Sequence, residues 1–230
     1  MKAVLKKPAG QKKTGTQNNL QANKSKLLFL FPLFLGIAGF LILLSSTSKY
    51  GVGISGDSAD YIMWARNFAE HHTFTKPDGR SLIIFPPLYP VLIAVFSYIG
   101  IDAFSAVRLI NAIFFSMIIF LTGIWILRYL GSLFLSIAGS LLVLFSYPIF
   151  SVCCWAWSEP LFIFLVTIFL FLTAETINNP SFKKTFLLAA VTSAACLTRY
   201  AGLVLFPVGA ILLFFGIKDF RKKLIHCFVW

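Results

Sequence analysis

Residues 56–90 read GDSADYIMWARNFAEHHTFTKPDGRSLIIFPPLYP, and this stretch decides how the rest of the chain is read. It holds four of the chain's eight acidic residues (Asp57, Asp60, Glu70, Asp78) and two of its three histidines. Long apolar segments with almost no charge lie on either side. A polar, carboxylate-bearing loop between membrane-length helices is where chemistry at a bilayer surface would be placed.

The bulk composition agrees. Of 230 residues, 58% are hydrophobic and only 12% charged, with 26 Phe; soluble domains carry roughly twice that charged share. Several runs approach the ~20 apolar residues that span a bilayer. The expected fold class is an all-α polytopic membrane protein. Net charge is +12, but seven of the twenty basic residues fall within the first 26 positions. Those lysines lack interleaved aromatics or a folded module, which excludes nucleic acid as a partner. A basic tail before a first membrane helix sets orientation and attracts anionic headgroups. Four cysteines (Cys153, Cys154, Cys196, Cys227) lack metal-ligand spacing and sit in apolar surroundings as small hydrophobes.

Taken in order, residues 1–26 form a basic, disordered cytoplasmic tail, and 27–46 the first spanning helix. The outer loop occupies 47–103. Helices are then expected over 104–127, 131–149 and 160–174, and a polar turn follows at Asn178-Asn179-Pro180. The block 185–217 is interrupted only by Arg199. Residues 218–230 form a cytoplasmic segment and the start of a further helix, so the membrane domain covers 27–217. Two segments are ambiguous, 82–99 and 185–217. If the first does not span and the second crosses twice, with Arg199 at the turn, 14 basic residues share the cytoplasmic side against 6 opposite. The positive-inside rule selects that arrangement: six crossings and a cytoplasmic N-terminus. No Asn-x-Ser/Thr sequon falls on the outer face, which favours a bacterial plasma membrane.

Within the loop, Tyr61, Trp64, Ala65 and Phe68 recur on one helical face, the pattern of a helix lying in the interface with its aromatics in the acyl boundary. Asp57, at its start, is either a cap accepting from the Asp60 amide or a site carboxylate. Residues 75–80 form a hairpin tip, and His71-His72, being adjacent, make a poor metal pair. The run Phe85-Pro86-Pro87-Leu88-Tyr89-Pro90 is stiff and must bend. Glu159 opens a helix, where a carboxylate is favoured by the macrodipole. Arg199, between two apolar helices, needs an anion, and a lipid phosphate or phosphodiester is the obvious one. Arg108 falls on the same outer side.

The order of these segments (GDSADYIMWARNFAE, FPPLYP, AVRLINAIFF, WSEPLF, LTRYAGLVLFP) resembles the N-terminal part of the C-type membrane glycosyltransferases related to protein O-mannosyltransferases and the lipid A aminoarabinose transferase. The resemblance covers residues 27–217. In that family the first outer loop carries an acidic pair followed by Tyr, and its Asp is the catalytic base. Asp57 with Tyr61 matches that spacing, although Ser58 replaces the second acid. The family's Lys-Pro-Pro becomes Phe85-Pro86-Pro87, without the Lys. Glu159 falls where members have an acid opening a helix, and Arg199 where many have Lys or Arg.

The resemblance implies inverting transfer of a sugar from a polyprenyl-phosphate donor to a lipid, glycan or protein acceptor on the non-cytoplasmic face. The implied substrate-binding set is Tyr61, Arg108, Glu159, Arg199 and Tyr200, with Pro86, Pro87 and Tyr89 shaping the loop. This layout needs no obligate cofactor or metal, though it is compatible with a carboxylate-bound divalent ion. Two further readings stand beside it: half of a membrane transporter or flippase, with Arg108, Arg199 and Glu159 along its path, and an inactive N-terminal fragment of such a transferase.

Overall fold

In the computed structural model, which describes residues 15–73, 75 and 85–230, regular structure is helical apart from isolated β-bridge positions at Gly53, Trp155 and Thr75. Helix α1 spans Gly15–Ser46, α4 Ala103–Leu130 and α7 Glu159–Asn178; each contains a stretch long and apolar enough to cross a membrane. Two shorter helices, α5 (Leu133–Leu144) and α6 (Tyr147–Cys153), meet at 53° and make a fourth candidate if counted as one span. Such a set of helices is the mark of a membrane protein.

Two expectations are corrected. The helix expected over 131–149 is broken, because Pro148 lies in the first turn of α6 and cannot donate back across the junction. Helix α1 begins at Gly15, inside the segment expected to be disordered. Residues 15–26 contain no proline and propagate the helix that the apolar run nucleates. Helix α8 (Phe182–Thr198), a 3-10 turn at Tyr200–Val204 and α9 (Leu205–Gly216) are each shorter than the candidate spans.

Contacts between helices fix their directions. Pro32 of α1 packs on Gly123 of α4, where an added Cβ would come within 2.8 Å of the proline ring. Nearer the other end of α1, Gly39 faces Ile119 and Phe115, so α1 and α4 are antiparallel. Helix α5 is joined to α4 through Ser136 Oγ, which donates to the Gly123 carbonyl at 2.7 Å, and Ser140 Oγ, which donates to that of Ile119 at 3.2 Å. Hydroxyl-to-carbonyl bonds of this kind hold helices together where burial against lipid adds no driving force. Phe114 meets Phe164, and Arg128 meets Glu175, so α4 and α7 run the same way.

Two ends result. One gathers the C-terminus of α1, the N-termini of α4 and α7 and the α8–α9 turn. The other gathers Arg128, Glu175, Lys184 and the charged segment after α9. At the first end two short helices, α2 (Gly56–His71) and α3 (Leu88–Ser97), cap the bundle. Ten residues rise only about 15 Å, half a bilayer core, so α3 by itself is shorter than a membrane span.

Tyr61, Ile62, Trp64 and Ala65 of α2 are buried, and three of them join Tyr89, Ile93 and Ala94 of α3 and Val107 and Ile110 of α4 in one core. The aromatic stripe expected in the acyl boundary therefore faces protein. Its spacing marks an apolar face, and α3 supplies the cover. The turn expected at 75–80 lies largely outside the described residues.

Candidate functional site

Ser55 is the N-cap of α2, and its amide donates to Ser58 Oγ at 3.0 Å, one arm of a capping box. Ser55 Oγ also accepts from Trp157 Nε1 at 2.7 Å. Asp57 is thereby relieved of capping. It sits exposed in the first turn, and its carboxylate makes no hydrogen bond or ion pair with any described residue. The cap reading of Asp57 is corrected, because a serine two residues earlier takes the position.

Tyr61, one turn on, is buried, with its ring 5.0 Å from that of Phe85 and edge-on to Tyr89 at 5.2 Å. Its hydroxyl meets Ser158 Oγ at 3.1 Å. Ser158 is the N-cap of α7, and its Oγ accepts in turn from Arg199 Nη1 at 3.2 Å. The same nitrogen pairs with Glu159 Oε1 at 2.7 Å. Glu159 Oε2 is buried without a hydrogen-bond partner. Glu159 therefore does not cap α7; its charge is spent on Arg199.

Arg199 is held in place by a local break in the chain. Its extended backbone (φ −150°, ψ 140°) ends α8, and the 3-10 turn then folds Gly202 onto Ala195 and Cys196. These two contacts use only Nη1 of the guanidinium. Burial raises the Tyr61 pKa. Ser158 and then Arg199 oppose that shift, while Glu159 and Asp57 add to it. The phenol is thus neutral across the physiological range.

The loop proline region supports this cluster. Pro86 is buried and Pro87 is the N-cap of α3, which brings Phe85 and Tyr89 against Tyr61. Tyr89 OH donates to Asn111 Oδ1 at 3.2 Å. Asn111 Nδ2 donates to the carbonyls of Cys153 and Trp155 at 3.1 and 2.8 Å. Residues 153–157 are further joined to the loop by main chain: Gly53 N donates to Cys154 O at 2.8 Å and Ala156 N to Gly53 O at 2.9 Å.

Of the residues expected at the site, the structure thus brings Tyr61, Glu159 and Arg199 together, with Asp57 near enough to act on Tyr61 electrostatically. Tyr200 follows Arg199 and is exposed. Arg108 is employed elsewhere. Its Nη2 donates to Leu44 O at 3.2 Å and its Nε to Thr47 Oγ1 at 3.3 Å, placing a cation at the carbonyl end of α1.

Ser158, Asn111 and Ser55 were not singled out by sequence reasoning. Asn111 alone carried a signal, as an amide in the middle of an apolar helix. Among the described residues no three His, Cys, Asp or Glu side chains gather as a metal site. A cavity of about 750 Å³ lies on the opposite face of α2, beside Ile62, Met63, Arg66 and Glu70, away from this cluster. Compared with known proteins, the chain matches no family model, no curated protein and no solved structure.

Proposed function

We propose that the chain forms the membrane part of a glycosyltransferase that moves a sugar from a polyprenyl-phosphate donor to a lipid, glycan or protein acceptor on the non-cytoplasmic face of a bacterial plasma membrane. The observation that carries this is the continuous contact Tyr61–Ser158–Arg199–Glu159, at the same end of the bundle as Asp57, whose carboxylate no described residue engages. A base and a cation held at one membrane face, with buried aromatics beneath them, suit displacement of a phosphate from an anomeric carbon.

In this reading Asp57 takes the acceptor hydroxyl proton as its oxygen bonds to the anomeric carbon. The bond from that carbon to the phosphate oxygen breaks, and its electron pair leaves with the polyprenyl phosphate. Displacement from the opposite face inverts the centre. Arg199 stabilises the charge developing on the phosphate in a site of low dielectric. Glu159 and Ser158 hold one nitrogen of its planar fork, which orients the guanidinium without occupying all its donors. A divalent ion, if bound, would supply further charge neutralisation at the phosphate.

Six crossings follow if α8 and the unit 200–216 each traverse the membrane, with the N-terminus and the basic end on the cytoplasmic side. Incubating membranes that contain the protein with labelled polyprenyl-phosphate sugars tests the function. Label should appear in an acceptor, with an inverted linkage, and only when Asp57 is intact. Movement of the labelled donor across the bilayer without a new glycosidic bond would replace this reading with transport.

A further inference from the structure

Among the described residues the end of the bundle opposite Asp57 carries Arg128, Lys183, Lys184, Lys218, Arg221, Lys222 and Lys223 against Glu175 and Asp219. Both acids are committed. Glu175 accepts from Arg128 at 3.0 Å and faces Lys184 at 3.5 Å, while Asp219 Oδ1 caps the final helix, α10 (Phe220–Val229), by accepting from the amides of Arg221 and Lys222. Between the end of α7, the end of α9 and the start of α10 lies a cavity of about 380 Å³, lined by Asn178, Pro180, Gly216, Lys218, Asp219 and Lys222. Neither lysine forms an ion pair with a described residue.

The placement of α10 is fixed by contacts independent of this cavity. His226 Nδ1 meets Thr185 Oγ1 of α8 at 2.7 Å, and Trp230 Nε1 donates to Phe206 O of α9 at 3.1 Å. Apolar surface runs to the cavity on both sides in the chain. Phe215, just before Gly216, is 77% exposed, and Phe220, just after Asp219, is 65% exposed. Lys223 lays its ammonium over the Phe214 ring at 4.5 Å, a basic head resting on an apolar stem.

We infer that this cavity binds the headgroup of an anionic phospholipid, its phosphodiester between Lys218 and Lys222 and its acyl chains along the exposed apolar side of α9. Two lysines and one aspartate give the lining a charge of about +1, the complement of a single phosphodiester rather than a doubly charged phosphomonoester. The apolar flanks select a lipid over a soluble phosphate, because only a lipid occupies the basic cavity and the greasy surface at once. The inference requires the helices to lie in a membrane and is independent of sugar transfer.

Native mass spectrometry of the full chain, released from nanodiscs containing phosphatidylglycerol and phosphatidylcholine, tests it alongside titration of the delipidated protein. The wild type should retain phosphatidylglycerol preferentially. Lys218→Gln with Lys222→Gln should weaken retention at least about thirtyfold, because two charge-assisted hydrogen bonds to the phosphodiester are lost. Lys183→Gln with Arg221→Gln removes the same charge outside the cavity and should weaken it by less than threefold. Lys218→Arg with Lys222→Arg should restore binding and serves as the folding control. Equal weakening by the two Gln pairs would reduce the cavity to general surface charge and overturn the site. Retention of phosphatidylcholine at equal strength, or displacement of lipid by inorganic phosphate, would overturn the assignment of its occupant.

Discussion

Glu159 and Arg199 meet at 2.7 Å across the ends of α7 and α8, and only one of the two carboxylate oxygens is engaged. The pair is partly exposed, at 28% for Glu159 and 35% for Arg199. Arg199→Gln and Glu159→Gln should therefore each cost about 1–3 kcal/mol, less than breaking a fully buried pair. The double substitution should cost clearly less than the sum, because neither charge is then stranded. Thermal unfolding of the four proteins in detergent measures this, and strict additivity would show that the two side chains do not cooperate. Arg199→Lys should keep part of the donor binding, since the charge survives but the planar fork does not.

Because Ser55 caps α2, Asp57 can be tested without a folding penalty. Asp57→Asn should leave expression and unfolding unchanged but abolish transfer, since a carboxamide is no base near neutral pH. Ser55→Ala should behave the other way, losing about 1 kcal/mol of stability with the cap while keeping the chemistry. Full activity in Asp57→Asn would remove the base from the mechanism and move attention to Glu159.

Asn111 satisfies two carbonyls and the Tyr89 hydroxyl at once. Asn111→Ala should destabilise by about 2–4 kcal/mol, because buried acceptors are left unpaired. Tyr89→Phe, which removes one of those bonds, should cost about 1 kcal/mol. Limited proteolysis between residues 146 and 158, followed with time, gives an independent readout, and equal effects of the two changes would show that the amide does not organise that segment.

His226 is buried against Thr185, and burial lowers its pKa from the ordinary 6.5, with Lys222 adding to the shift. A depressed pKa means that the unfolded chain takes up the proton first. The stability His226 contributes is thus present above 6.5 and is lost as pH falls through its folded value. Hydrogen exchange over 220–229, corrected for intrinsic rates, should rise on going to about pH 5, and His226→Gln should flatten that rise. An unchanged profile in the variant would assign the response to another group.

Cysteine labelling reports the arrangement of the two ends, after the four native cysteines are replaced. Positions 50 and 70 should react from the non-cytoplasmic side, and positions 183 and 222 only from the cytoplasm. Labelling of 183 and 70 from one side would dismantle the six-crossing arrangement.

Much of the helical layout could be read from uninterrupted apolar runs, and the break at Arg199 from a charge that no bilayer centre tolerates. Other features could not be read that way. Ser55 and Asp57 are both competent caps two residues apart, and only backbone geometry separates them. The Tyr61–Phe68 stripe marks an apolar face but does not say whether lipid or α3 covers it. Arg108 reads as a site cation until the end of α1 is seen beside it. The bend after α5 was signalled by Pro148, but an apolar run on both sides concealed it.

The paired main-chain bonds at Gly53 join the strand of loop before α2 to the segment before α7. An added Cβ on Gly53 would stand 2.6 Å from the Trp155 ring, so this stitch admits no side chain. It acts as a strut between Asp57 and Glu159, since each lies a few residues from a bonded amide. A side chain at position 53 would therefore push apart the two segments that lead into Asp57 and Glu159.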